Sequence, residues 1–125
     1  RVVSNFIVQA LQGNPLTVYG DGSQTRSFCY VSDLIDGLAK LFFAKSVHEP
    51  MNLGNPTPIN MKELAQEVIS LTGSKSRIEY KELPKDDPRQ REPNISKAKA
   101  LLGWSPIVER SDGLKKTVAY FQSQI

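Results

Sequence analysis

The sequence predicts an α/β fold of helices alternating with short strands. In several stretches apolar residues recur at intervals of three and four, the spacing of amphipathic helices. Between them lie strand-like runs bounded by glycine, proline and asparagine. Elements that alternate in this way pack together as α/β structure. Because no interior linker divides the chain, we expect a single domain over residues 1–125.

The first half of the chain predicts two helices and two strands, followed by a third strand. The first helix ends at Gly13, and its inward residues are Val3, Phe6, Ile7, Ala10 and Leu11. Strand-like runs at 16–19 and 27–31 flank a turn with two glycines. The second helix begins with Ser32 as its N-cap and Asp33 in its first turn. Its expected buried stripe is Leu34, Ile35, Leu38, Leu41 and Phe42, and a short buried strand is expected at 50–55.

The second half predicts three helices and one strand. Asn60 is expected to cap a helix whose third residue, Glu63, completes a capping box, with Gly73 after its last turn. Its inward residues are Met61, Leu64, Ala65, Val68 and Ile69. Strand 77–80 precedes a charged loop. A short helix lies between Asn94 and Gly103, with Trp104 anchoring it to the core, and a last helix begins at Ser111.

Composition and charge indicate which partners to expect. Residues 1–62 carry five Lys/Arg against four Asp/Glu, and residues 63–125 carry eleven against nine, so neither half is strongly basic. This balance argues against a nucleic-acid or membrane partner. One cysteine, Cys29, fits a reducing compartment, so a cytoplasmic location is expected. Because the chain opens directly in a helical pattern without Met, we expect a portion of a longer protein.

The loop "VYGDGSQTRSF", residues 18–28, carries the first candidate binding residue. Arginine binds phosphate oxygens through two parallel donors and stays charged. Arg26 could therefore reach a diphosphate beside this loop, with Tyr19 against a base. The alternative is a plain hairpin whose arginine is solvated.

Other candidates for chemistry are weaker. In "DDPRQREPN", residues 86–94, Arg89 and Arg91 form a second positively charged candidate site. The alternative is a loop whose arginines are only solvated. Asp86 and Asp87 lack the further oxygen ligands that a metal site needs, so no metal is expected. A nucleophile pair of Cys29 with the single histidine, His48, is weakly supported, because the two are far apart in sequence. The alternative is that Cys29 is a small buried thiol.

Several motifs together resemble one enzyme family. "RVVSNFIVQALQGNPLTVYGDGSQTRSFCYVSDLIDGL", "MNLGNP" and "DDPRQREPNISKAKALLGWSP" are similar to the C-terminal part of the extended short-chain dehydrogenase/reductase family of nucleotide-sugar epimerases and dehydratases. "GSQTRSF…YVSDL" and "DDPxxRxP" resemble its UDP-glucuronate decarboxylase branch, which makes UDP-xylose. The resemblance covers essentially the whole chain.

The resemblance implies a fold, a substrate and site residues. It implies the UDP-sugar-binding portion of an NAD-dependent enzyme without the Rossmann core. Arg26 would contact the pyrophosphate, Tyr19 the uracil and Arg91 the diphosphate or sugar, while Arg1 would lie at the ligand cleft. In a related decarboxylase the matching arginine has been proposed to assist proton transfer, so such a role for Arg91 is open. The branch often has Asp where this chain has Asn94.

The resemblance also implies what this portion lacks. By resemblance, the full decarboxylase would oxidise the sugar at C4 with NAD, lose carbon dioxide from the resulting β-keto acid, and reduce the ketone again. The wider family is the source of two further motifs. It uses a glycine-rich turn for NAD and a Tyr-x-x-x-Lys pair, and neither occurs here. We therefore expect no catalytic residue here beyond the open role of Arg91, no NAD bound by this chain alone, and no activity alone. We expect a homodimer for the full-length enzyme and a monomer as one option for this portion. Another dehydratase or epimerase, or a non-enzymatic binding module, is the alternative function.

Overall fold

A computed structural model describes residues 1–85 and 92–124. It confirms the predicted α/β class of helices and short strands. The elements, in chain order, are α1 (Val2–Leu11), β1 (Leu16–Tyr19), β2 (Thr25–Ser27), α2 (Val31–Phe43), β3 (Pro58–Asn60), α3 (Met61–Thr72), β4 (Ile78–Lys81), a π-helical turn (Ala98–Leu102) and α4 (Arg110–Gln124). In these described ranges no helix is both long and apolar enough to cross a membrane.

The described strands form two small sheets of two strands each. β1 and β4 pair in parallel, with Leu16 opposite Ile78 and Tyr19 opposite Lys81. A parallel pair needs a long crossover, and here the intervening chain supplies it. β2 pairs with β3. The first pair fixes the end of β1, from which the glycine-containing turn departs.

Contacts divide the chain into two compact units, and the first holds the glycine-containing turn. It comprises Arg1–Arg26, Ile59–Gln90 and Leu114–Ile125. α1 and α3 pack on each other and on β1. The largest fully buried side chains of this unit come from these three elements: Phe6, Ile7, Leu16, Val18, Leu64 and Val68. The inner faces predicted for the first and third helices are thus confirmed.

The N-terminus of α3 follows the predicted capping box. The Asn60 side-chain oxygen accepts from the backbone N–H of Glu63 at 2.8 Å, and its amide donates to the Glu63 carboxylate at 2.6 Å. At the other end Gly73 adopts a left-handed conformation with φ of 65°. Both ends of this helix were therefore predictable from the sequence.

The second unit comprises Ser27–Pro58 and Arg91–Gly113 and is built around Trp104. Trp104, Ile95 and Ala98 form its buried cluster, and the half-buried residues packed against it are Cys29, Met51, Leu53 and Leu102. The Trp104 indole N–H donates to the Asp33 carbonyl oxygen at 3.0 Å. The predicted anchoring role of Trp104 is confirmed. The prediction of one domain over residues 1–125 stays a prediction, since contacts alone do not test independent folding.

The buried stripe predicted for α2 is wrong for three of its five residues, while Leu34 and Leu41 are half-buried. Of the expected inner stripe, Ile35, Leu38 and Phe42 are exposed, whereas Asp33 and Gly37 are the buried residues of the helix. The reason is that α2 turns its glycine toward Trp104: a Cβ on Gly37 would lie 3.0 Å from the indole. The spacing of the apolar residues predicts which side of α2 is apolar, but it does not predict which of these residues are buried.

Other elements differ in extent from the predictions. The strand predicted at 27–31 is displaced to Thr25–Ser27, and α2 begins at Val31 with Tyr30, not Ser32, as its N-cap. The segment 50–55 is not a strand, because a strand requires a hydrogen-bonded neighbour and apolar sequence alone does not supply one. The short helix before Gly103 includes a π-helical turn, and Leu101 on it is exposed.

Candidate functional site

The candidate binding loop lies in the first unit between Tyr19, which ends β1, and Arg26, in the middle of β2. Gly20 and Gly22 take φ angles of 64° and 80°. These left-handed conformations let the chain reverse within a few residues. The Asp21 carboxylate accepts from the backbone N–H of Ser23 at 3.0 Å, which closes a local turn.

Gln24 fixes the two ends of this loop to each other. Its side chain is only 6% exposed, and its amide donates to the Tyr19 carbonyl oxygen at 3.0 Å. The backbone carbonyl of Gln24 accepts from the backbone N–H of Met61 at 3.1 Å. A buried glutamine held in this way keeps the spacing between Tyr19 and β2 constant. The sequence analysis missed this residue, because polar residues in loops are usually exposed.

The loop rests on the first turn of α3. Lys62 donates its backbone N–H to the Gly22 carbonyl at 3.1 Å, while the next donor, from Glu63, is held by Asn60. A side chain at position 22 has no room: its Cβ would lie 2.9 Å from the Cβ of Lys62. The first backbone donors of α3 are thus bonded to the protein itself, so this helix end is not an anion site.

Two of the four predicted site residues flank the loop in the same unit. The Tyr19 side chain is 46% exposed. Arg26 is half-buried, and its guanidinium donates to the Thr25 carbonyl at 2.7 Å. Beside the loop is a cleft of about 300 Å³ lined by Gly20, Asp21, Ser23, Gln24 and Leu83. An aromatic ring and a guanidinium at the two ends of one braced loop can bind a planar base and an anionic group.

The other two predicted site residues are not tested by this geometry. Arg1 immediately precedes α1, its side chain is exposed, and its carbonyl accepts from Ser4 and Asn5 at 3.0 Å. Its place at the ligand cleft stays a prediction. Arg91 lies outside the described residues, as do Asp86, Asp87 and Arg89. The contact of Arg91 with the diphosphate or sugar that the resemblance implies therefore stays a prediction as well.

The geometry gives no support to a cysteine nucleophile. Burial raises the pKa of the Cys29 thiol, and the negative charge of Asp33 raises it further. A raised pKa keeps the thiol protonated at neutral pH and lowers its reactivity. His48 is exposed on a loop. Among the residues that the structure describes, no group of three His, Cys, Asp or Glu side chains could hold a metal ion.

Asp33 is the second residue whose importance the sequence analysis missed. It was expected only to favour the first turn of α2, yet it is 4% exposed. One carboxylate oxygen accepts from the backbone N–H of Ile107 at 3.1 Å and the other from Val108 at 2.9 Å. Its role in the second unit is structural, since both carboxylate oxygens are engaged by the backbone.

Comparison with known proteins confirms the resemblance. Residues 1–54 match the model of the NAD dependent epimerase/dehydratase family. The chain is similar in structure to an epimerase from Methanothermobacter thermautotrophicus, with a TM-score of 0.95 and 30% identity over 99% of this chain and 38% of that one. It is likewise similar to UDP-glucuronic acid 4-epimerase from Bacillus cereus, solved with UDP-glucuronic acid and NAD, with a TM-score of 0.93 and 30% identity over 100% and 40% of the two chains. The chain therefore resembles members of the NAD dependent epimerase/dehydratase family, whose model matches its first 54 residues.

The chain is also similar over its whole length to UDP-glucuronic acid decarboxylases. It is 53% identical to UDP-glucuronic acid decarboxylase 1 from Danio rerio and 50% identical to UDP-glucuronic acid decarboxylase 4 from Arabidopsis thaliana. In both cases all 125 residues are covered. The chain spans about 30% of the length of the first relative and 28% of the second.

The described residues do not fit the dinucleotide of NAD. Dinucleotide sites place the pyrophosphate on free backbone donors at a helix N-terminus that follows a glycine-rich turn. Here the turn with Gly20 and Gly22 is followed by β2 and not by a helix. The α3 donors that it contacts already bond to the backbone carbonyls of Gly22 and Gln24. The sequence also contains no G-x-G-x-x-G turn.

Proposed function

We propose that this chain is the UDP-sugar-binding portion of an NAD-dependent UDP-glucuronic acid decarboxylase. The observation that carries the proposal is the 53% identity to such a decarboxylase over all 125 residues, against 30% to the epimerases of known structure. The loop between β1 and β2 supports it, because Tyr19 and Arg26 provide a ring and a cation at its two ends and the loop itself lines a cleft. The role of this portion is to bind and orient the substrate.

The rest of the proposed enzyme would supply the redox chemistry. We propose that NAD and a Tyr-x-x-x-Lys pair are held by the part of the parent protein outside these residues. The solved UDP-glucuronic acid 4-epimerase from Bacillus cereus contains UDP-glucuronic acid and NAD together. This chain covers 40% of that protein, which supports an NAD site in the remaining part. We further propose a homodimer in the cytoplasm, the location that the single Cys29 favours.

The first prediction concerns the reaction of the full-length protein. Incubated with NAD and UDP-glucuronic acid labelled at the carboxyl carbon, it is expected to release labelled carbon dioxide and to form UDP-xylose. The product is identified by mass spectrometry and proton NMR. The 125-residue chain, assayed in parallel, is expected to release none.

Two results would favour the alternatives. Conversion of UDP-glucuronic acid to an epimer of the same mass, without loss of carbon dioxide, would assign the chain to an epimerase. A parent protein that neither binds UDP nor changes the substrate would favour the non-enzymatic module.

The second prediction concerns Arg26. A charge-assisted hydrogen bond contributes about 1.5–3 kcal/mol, so Arg26→Ala in the full-length protein is expected to weaken UDP binding roughly 10- to 150-fold. Arg26→Lys keeps the charge but loses the planar pair of donors, and an intermediate loss is expected. Isothermal titration calorimetry with UDP measures both, after circular dichroism has verified the fold.

Arg77→Ala is the matched control, because Arg77 is also in the first unit but is exposed just before β4. It is expected to bind UDP as the unmodified protein does. Equal affinity of the Arg26→Ala and Arg77→Ala proteins for UDP would mean that Arg26 is a solvated loop residue and does not bind the ligand.

A further inference from the structure

Gln24 is the buried polar side chain of the first unit. Of the described residues, only Gln24 and Asp33 are both buried and polar or charged, and Asp33 belongs to the second unit. Burying an amide is unfavourable unless its polar atoms are hydrogen-bonded, whereas an apolar side chain would fill the same space without that requirement. Packing alone therefore does not explain a glutamine at this position.

The hydrogen bonds of Gln24 connect three elements around the loop. Its side-chain amide donates across the loop to the Tyr19 carbonyl at 3.0 Å, at the end of β1. Its backbone carbonyl accepts at 3.1 Å from the N–H of Met61, the first residue of α3. Tyr19 itself is paired with Lys81 of β4. The residue just before β2 is thus tied both to the end of β1 and to the start of α3.

This connection fixes the spacing between the two proposed ligand contacts. Tyr19 is the last residue of β1, and Arg26 is the second residue of β2, two positions after Gln24. Groups that bind one ligand together must be held to within about 0.5 Å by supporting packing and hydrogen bonds. The Gln24 amide is such a support, and Gln24 also lines the cleft of about 300 Å³ beside the loop.

We propose that Gln24 is a positioning residue for the UDP part of the substrate: its amide holds Tyr19 and Arg26 at the spacing that lets both contact one ligand. The proposal rests on the proposed function, in which Tyr19 binds the base and Arg26 the diphosphate. It extends that function, because it assigns part of the affinity for UDP to a buried residue that acts through its neighbours. The role requires a neutral donor of the length of glutamine.

Calorimetric titration of the full-length protein with UDP tests the proposal. Gln24→Met keeps an unbranched side chain of similar length and removes the donor. It is expected to weaken UDP binding roughly fivefold, the equilibrium factor that one neutral hydrogen bond typically contributes. Gln24→Asn keeps an amide that is one methylene too short to reach the Tyr19 carbonyl. It is expected to weaken binding in the same direction and gives the same readout if Gln24→Met does not fold.

Gln9→Met is the matched control. Gln9 also joins two elements of the first unit, since its amide donates to the Thr17 hydroxyl at 3.3 Å and its oxygen accepts from the Thr17 N–H at 3.2 Å. Thr17 is near the start of β1, at the end away from the loop. Gln9→Met is expected to lower the free energy of unfolding in urea and to change UDP affinity by less than about twofold. It therefore shows what the loss of a bridging glutamine does without a change in the loop.

A double-mutant cycle with Arg26→Ala tests whether Gln24 acts through spacing. The spacing matters only while both ends of the loop hold the ligand. Gln24→Met is therefore expected to weaken UDP binding by less than about twofold in a protein that already carries Arg26→Ala. A purely structural role of Gln24 would give the same loss in both backgrounds.

Two results would overturn this proposal while UDP binding by the parent protein stands. The first is equal UDP affinity of the Gln24→Met and Gln9→Met proteins. The second is an equal loss from Gln24→Met with and without Arg26→Ala. A full-length protein that does not bind UDP would overturn the proposed function, and this proposal with it. A loss that is confined to the Gln24 variants and depends on Arg26 supports the positioning role.

Discussion

Replacing Asp33 by Asn is expected to lower the free energy of unfolding by about 2–4 kcal/mol, because hydrogen bonds to a charged group contribute about 1.5–3 kcal/mol each. The Asp33 carboxylate accepts from the backbone N–H groups of Ile107 and Val108. An amide has one acceptor oxygen, so one of these donors would face an NH₂ group instead. Urea unfolding of the full-length protein, followed by tryptophan fluorescence, measures the change, since Trp104 is the only tryptophan of this stretch.

The matched control is Asp36→Asn on the same helix. Asp36 makes an exposed ion pair with Lys40, four residues later, and such pairs contribute about 0.2–0.5 kcal/mol. Both variants remove one negative charge from α2. If they destabilise the protein equally, the general charge of the helix matters and the bonds to Ile107 and Val108 do not.

How much of the fold the sequence predicts depends on whether the signal is local. The capping box of Asn60 and Glu63 and the left-handed Gly73 lie within one helix and its ends, and all were predicted. The outer side of α2 was not, because Ile35 and Phe42 have the spacing of a buried stripe but face solvent here. Burial depends on which surfaces meet, and these 125 residues are only part of the length of the curated relatives.

The same distinction applies to the candidate site. Tyr19 and Arg26 were candidates because of their side-chain chemistry and the family resemblance, and the structure places them at the two ends of one loop. Their contact with a nucleotide stays a prediction. Gln24 and Asp33 were missed because each acts through backbone partners that are distant in sequence: Met61 for the first, and Ile107 and Val108 for the second. No spacing rule reveals such pairs.

Replacing Gly22 by Ala is expected to cost about 2–5 kcal/mol of stability and to weaken UDP binding as well. An alanine at φ of 80° bears about 1–2 kcal/mol of backbone strain. Its Cβ would also lie 2.9 Å from the Cβ of Lys62 and 3.2 Å from the Lys62 backbone nitrogen, and such overpacking costs about 1–3 kcal/mol more. Neither atom is the end of a flexible side chain, so the loop must move away from α3.

Gly13→Ala separates the two causes. Gly13 has a similar φ of 74°, but among the described residues, its two chain neighbours aside, no atom lies within 4 Å of the position its Cβ would take. It is expected to show the backbone strain alone and to leave UDP binding unchanged. Denaturant unfolding and calorimetry with UDP, applied to both variants, isolate the close approach of the loop to α3. Since that approach sets the position of the loop between Tyr19 and Arg26, equal effects at the two glycines would mean that seating the loop on α3 does not shape the binding site.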